Sequence, residues 1–112
     1  MQFLMLVCTD PTAEPYVASE DNIAEWVERN DAAGTRKLGE RLVGAAKAKT
    51  VRVRNGSTSV TDGPFAELGE LIAGFDILVA DTLEEAIAIA ADHPMARFGQ
   101  LEIRAFDPFE SA

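Results

Sequence analysis

A chain of 112 residues is the size of one domain, here taken as residues 1–112, and can bury a real core. Nineteen acidic side chains against ten basic ones give a net charge of −9, a field that repels phosphate backbones and anionic lipid and argues against direct nucleic-acid or membrane partners. Apolar residues at 47% and charged residues at 26% exclude a disordered chain.

The opening MQFLMLVCTD has no basic region before its apolar run, and that run is too short for a signal segment or a membrane span. With a single cysteine, Cys8, no internal disulfide can form, and a reducing cytoplasm is the expected compartment. Residues 2–8 predict a first strand, ended by Asp10 and Pro11. Phe3, Met5 and Val7 share one face and Leu4, Leu6 and Cys8 the other, so both faces call for cover.

A helix is expected over residues 20–33. Ser19 is its N-cap candidate, Glu20 and Asp21 complement the dipole, and Ile23, Trp26 and Val27 form its apolar side, loosely continued by Ala33. Gly34 suits the C′ position. Residues 36–43 predict a second strand, interrupted by Gly39. TVRVRNGSTSVT then alternates around Asn55-Gly56, the dipeptide of a type I′ two-residue hairpin. That turn fixes the register: Arg54 opposite Ser57, Val53 opposite Thr58, Val51 opposite Val60 and Lys49 opposite Asp62.

The turn Asp62-Gly63-Pro64 follows, then the strand GFDILVA, with Phe75, Ile77 and Val79 on one face and Asp76, Leu78 and Ala80 on the other. Thr82-Leu83-Glu84-Glu85 reads as a capping box opening a helix with Leu83, Ala86, Ile87 and Ala90 as its stripe. Pro94 stops that helix near Asp92. QLEIRAF is the last strand, with Leu101, Ile103 and Ala105 alternating against Glu102, Arg104 and Phe106.

The order is β-α-β-hairpin-β-α-β, an α+β class chain with a ferredoxin-like split βαβ arrangement and an inserted β-hairpin. Its helices cover one sheet face. Strands apolar on both faces need a second cover, and two sheets packed across a two-fold axis supply it, so a homodimer is expected.

The candidate chemistry is sparse. His93 is the sole histidine and the natural proton carrier, placed at a helix end where the dipole favours its charged form; that position also suits plain C-terminal capping. Asp62 is the candidate base, directed toward the face of Val51 and Val60, but it equally suits an Asx-type turn or an ion pair with Lys49. Phe65 and Glu67 are candidates for a ligand-binding rim. Glu102 and Arg104 read as a surface pair, or as a polar feature of an apolar cleft if their face lines a dimer interior. No zinc, nucleotide or hydrolase motif is present, so neither a metal nor a cofactor is expected.

TVRVRNGSTSVTDGPFAE, GFDILVADTLEEAIAIAADHP and FGQLEIRAF resemble the YCII-related family in its DGPF-motif branch, over nearly the whole chain. The resemblance implies a dimeric α+β barrel in a small bacterial cytoplasmic protein. It also implies cofactor-free enzymes using a His–Asp pair in some members, and partners or appended domains of alternative sigma factors in others. This chain has Leu68-Gly69 where the branch carries Thr-Lys, Ala105 where it carries proline, and no histidine in its first helix. Two readings stand. One is a module that binds a metabolite or a partner protein. The other is a cofactor-free lyase or isomerase using Asp62, His93 or both.

Overall fold

The computed structural model describes residues 1–63 and 72–107. Six strands, β1 (Gln2–Cys8), β2 (Arg36–Arg41), β3 (Lys49–Arg54), β4 (Ser57–Asp62), β5 (Ile72–Val79) and β6 (Gln100–Ala105), accompany helices α1 (Ile23–Ala33) and α2 (Leu83–Ala91) and a single turn, α3 (Met95–Phe98). Among the described residues four strands form one sheet in the order β2-β5-β1-β6, and β3 and β4 form a second, two-stranded one. All three contacts in the main sheet are antiparallel. This is the split βαβ topology expected for the ferredoxin-like arrangement, with the hairpin inserted between its halves.

Register assigns the faces. Phe3, Met5 and Val7 stand opposite Ala105, Ile103 and Leu101, and with Leu78 and Ala80 they meet Trp26, Ala86 and Ala90 in the core. Leu4 pairs with Ile77 and Arg104, and Leu6 with Phe75 and Glu102, so these side chains occupy the outer face. That face is largely apolar and lies away from both helices.

Helix α1 begins three residues later than its capping pattern predicts. Ala18–Glu20 form a 3₁₀ turn instead, and the Asp21 carboxylate, not Ser19, accepts the Ile23 N–H. Its buried side is Trp26 followed by Asn30, not Ala33. Asn30 is satisfied at both ends, donating to Trp26 O at 2.8 Å and accepting from Thr35 Oγ1 at 2.7 Å. Gly34 closes the helix at φ 73°, its N–H shared between Asn30 O and Asp31 O. The indole N–H of Trp26 crosses to Ile89 O at 2.9 Å, tying α1 to α2.

The α2 capping box forms with a shift. Thr82 Oγ1 accepts from Glu85 N, but the Glu85 carboxylate reaches back to Asp81 N rather than to Thr82 N. Ala86 and Ala90 are buried, whereas Leu83 and Ile87 are exposed. The small alanines let the helix axis approach the sheet closely, which turns the bulkier half of the stripe outward beside Leu101 and Ile103.

The hairpin has the predicted register at every pair, from Lys49–Asp62 to Arg54–Ser57. Asn55 and Gly56 take φ of 51° and 77°, the doubly positive geometry of a type I′ turn. No described helix is long and apolar enough to cross a membrane.

Candidate functional site

Several separate stretches of chain converge on a cleft of about 690 Å³ at the β2 end of the sheet, on its helix side. Strand β5 contributes Asp76, β2 contributes Arg36 and Gly39, and the end of α2 contributes His93. Tyr16 and Asp21, from the segment between β1 and α1, form its rim.

Asp76 falls on the buried parity of β5, between Gly74 and Leu78. Arg36 Nε donates to its Oδ1 at 2.7 Å, and the same guanidinium reaches Asp31 at 3.0 Å and Gly39 O at 3.1 Å. Burial holds the Asp76 carboxyl above the usual range, against the hydrogen bond from Arg36. A half-buried pair of this kind is costly to break from one side, because it strands a desolvated charge.

His93 is 5% exposed and stacks edge-on against Trp26, with ring centroids 4.6 Å apart. Its Nδ1 accepts the Met95 N–H at 3.0 Å, a bond set up by the turn that Pro94 imposes. Desolvation lowers its pKa to about 4; the carboxylate of Asp21 opposes this and Arg36 adds to it. The helix-end position was expected to favour the charged ring, and burial overrides it. A neutral ring whose Nδ1 accepts carries its proton on Nε2. The His93 side chain lines the cleft together with Asp76 and Arg36.

The rim is pinned from outside. Arg97 pairs with Glu14 at 3.3 Å and Glu20 at 3.5 Å, and Tyr16 meets Phe98 edge-on at 5.3 Å. Tyr16 then donates its hydroxyl to Asp21 at 2.5 Å.

The other sequence candidates lie elsewhere. Asp62 is absent from the described lining of this cleft; its side chain is 81% exposed and pairs with Lys49. At the start of the turn the Gly63 N–H donates to Ala48 O at 2.8 Å and Gly63 O accepts from Thr50 Oγ1. Glu102 and Arg104 pair at 2.9 Å on the outer face, away from His93. Phe65 and Glu67 lie outside the described residues. Sequence reasoning missed Asp76 and Arg36 as site residues. The available signal was one carboxylate in an otherwise apolar strand, opposite a β2 segment that supplies both an arginine and a glycine.

Among the described residues no cluster of three metal-ligating side chains occurs. The YCII-related domain matches residues 1–110 of this sequence. The chain belongs to the YCII-related family. An uncharacterised protein of Rhizobium meliloti (strain 1021) is 42% identical over 72 residues, which cover 61% of this chain and 58% of that protein. The chain thus spans just over half the length of that curated relative. Among solved structures, the 5-chloro-2-hydroxyhydroquinone dehydrochlorinase TftG of Burkholderia phenoliruptrix, in complex with 2,5-dihydroxybenzoquinone, superposes with a TM-score of 0.53. It is 16% identical, with 96% of this chain and 94% of that one covered. At that identity the likeness establishes the α+β fold of this YCII-related chain.

Proposed function

We propose that this YCII-related protein binds a small, ring-sized, oxygen-bearing metabolite in the Asp76–His93 cleft. The observation that carries the reading is the placement of His93: buried on the cleft wall with its Nδ1 taken by the Met95 N–H, so that a neutral ring keeps its proton on Nε2 for a ligand. A neutral imidazole donor suits a carbonyl, phenol or quinone oxygen. The apolar walls, among them Val7, Val27 and Met95, suit the body of such a ligand, and the volume lies in the range of small-molecule sites. The bound 2,5-dihydroxybenzoquinone of the structurally similar TftG is a ligand of this class.

A second reading, a cofactor-free lyase or isomerase, is favoured by one observation. Asp76, with its carboxyl raised by burial, stands on the wall of the same cleft as His93. Its proton-accepting carboxylate then works beside an imidazole that polarises the substrate oxygen, a division of labour that neutral histidines support. In this reading Asp76 takes the role first considered for Asp62. The segment of Phe65 and Glu67 is kept as a candidate rim.

Two copies pair through the outer sheet face, where Leu4, Leu6, Phe75 and Ile77 surround Glu102 and Arg104. Light scattering of the purified protein is expected to give twice the 12.1 kDa chain mass.

The test is calorimetric titration with hydroxylated benzoquinones and related small rings. Wild type is expected to bind, and His93→Gln to fold yet bind about tenfold more weakly, the worth of one hydrogen bond. Equal affinity in both proteins overturns the role of His93. Deuterium incorporation at a ring C–H of a bound compound, abolished in Asp76→Asn, separates the lyase or isomerase reading from binding alone.

A further inference from the structure

Between Leu42 and Gly63 the sequence places four of its ten basic residues, Lys47, Lys49, Arg52 and Arg54, and one of its nineteen acidic ones, Asp62. This segment therefore carries +3. The rest of the chain, with six bases and eighteen acids, carries −12. So uneven a division inside one small domain puts two complementary surfaces on the same molecule.

The structure turns this segment into a separate element. Strands β3 and β4 form their own two-stranded sheet. Their register sets Val51 opposite Val60 and Val53 opposite Thr58, so these four share one face. The three valines on it are 57–62% exposed. A two-stranded ribbon is marginal by itself and gains stability by packing its apolar face on something. The radius of gyration, 16.2 Å, also exceeds the roughly 13 Å of a compact domain of this length.

We propose that the β3–β4 ribbon is an arm that docks on the acidic body of a second copy of this chain. Charge complementarity selects that occupant: +3 on the arm meets −12 on the body, and a two-fold axis makes both contacts at once. The valine face supplies the apolar contact, and the net positive charge of the arm, with Arg52 and Arg54 on the ribbon's other face, supplies long-range steering. A nucleic acid or an anionic membrane would satisfy the arm but would be repelled by the body beside it. The arm extends the pairing of copies proposed above, and the two stand or fall on different variants.

Sedimentation equilibrium at low and high salt tests the arm. Val51→Ser with Val53→Ser and Val60→Ser is expected to weaken self-association about tenfold or more, from the apolar area lost. Lys47→Glu with Arg54→Glu is expected to weaken it and to remove its salt dependence. Circular dichroism controls for folding. Hydrogen exchange adds a readout independent of substitution: amides of the ribbon in wild type are expected to gain protection with rising protein concentration. Unchanged association in the serine variant, together with concentration-independent ribbon protection, overturns the arm while leaving pairing through the sheet intact. Phe75→Asp tests that sheet pairing separately. A wild-type chain that stays monomeric at every concentration overturns both, and so does a monomer whose ribbon binds a DNA duplex or an anionic vesicle.

Discussion

Gly39 lies opposite Asp76 in the β2–β5 ladder, and the Asp76 carboxylate occupies the space a Gly39 side chain would take. A Cβ there would overlap the carboxylate and stand 2.8 Å from Arg36 Nη2. The glycine that breaks the β pattern of residues 36–43 therefore makes room for a buried ion pair. Gly39→Ala is expected to displace that pair and cost about 2–4 kcal/mol, from overpacking plus a weakened half-buried salt bridge. Urea denaturation measures the loss. Asp76→Asn in the Gly39→Ala background should cost less than the sum of the two single changes, since both act on one contact.

His93 gives stability a pH dependence whose sign is fixed. Its folded pKa, about 4, lies below the ordinary value of 6.5, so the unfolded chain binds the proton more readily. Stability from this group is fully present above pH 6.5 and is lost as pH falls from 6.5 toward 4. The shift corresponds to a loss of about 3 kcal/mol at most. Asp76, raised from its usual value of 3.8 by burial, contributes the opposite slope. Chemical denaturation at a series of pH values should show the fall between pH 6.5 and 4 in wild type, and a much flatter profile in His93→Gln.

Among the described residues the partner of the Asp62 carboxylate is Lys49, itself exposed. Asp62→Asn and Asp62→Ala are therefore expected to have nearly the same stability, each within about 0.5 kcal/mol of wild type. Thermal melts of the three proteins decide this. A clear gap between Asn and Ala would reveal a turn-closing hydrogen bond.

Gly56 holds φ at 77° in the hairpin turn. Gly56→Val is expected to cost about 1 kcal/mol or more, since a β-branched residue takes up that geometry poorly. Because the ribbon is a sheet of its own, the effect should appear as lost cross-strand nuclear Overhauser contacts between Val51 and Val60, with the melting of the main sheet little changed.

The hairpin was legible pair by pair because a two-residue turn sets the register of everything behind it. The first strand and the α2 cap were legible for similarly local reasons: a short apolar run ended by Asp10 and Pro11, and a threonine three positions before a glutamate. The cleft was not. Arg36 and Asp76 stand forty positions apart, and only the strand order β2-β5-β1-β6 makes them neighbours. Nor could the alternation of β5 say which of its faces would be buried. Both looked apolar enough, and the one that includes Asp76 went inside. His93 was misjudged because position along a helix is visible in sequence, whereas desolvation by Trp26 and the sheet is a property of the assembled layers.

The edge-on contact between Trp26 and His93 joins the chain's single tryptophan to its single histidine. An imidazolium quenches indole emission far more strongly than a neutral imidazole does. Trp26 is fully enclosed, so its spectrum should be blue-shifted and insensitive to dissolved iodide. The fluorescence of the unlabelled protein thus reads out the proton on His93 and the occupancy of the space beside it, with no dye and no second tryptophan to confuse the signal.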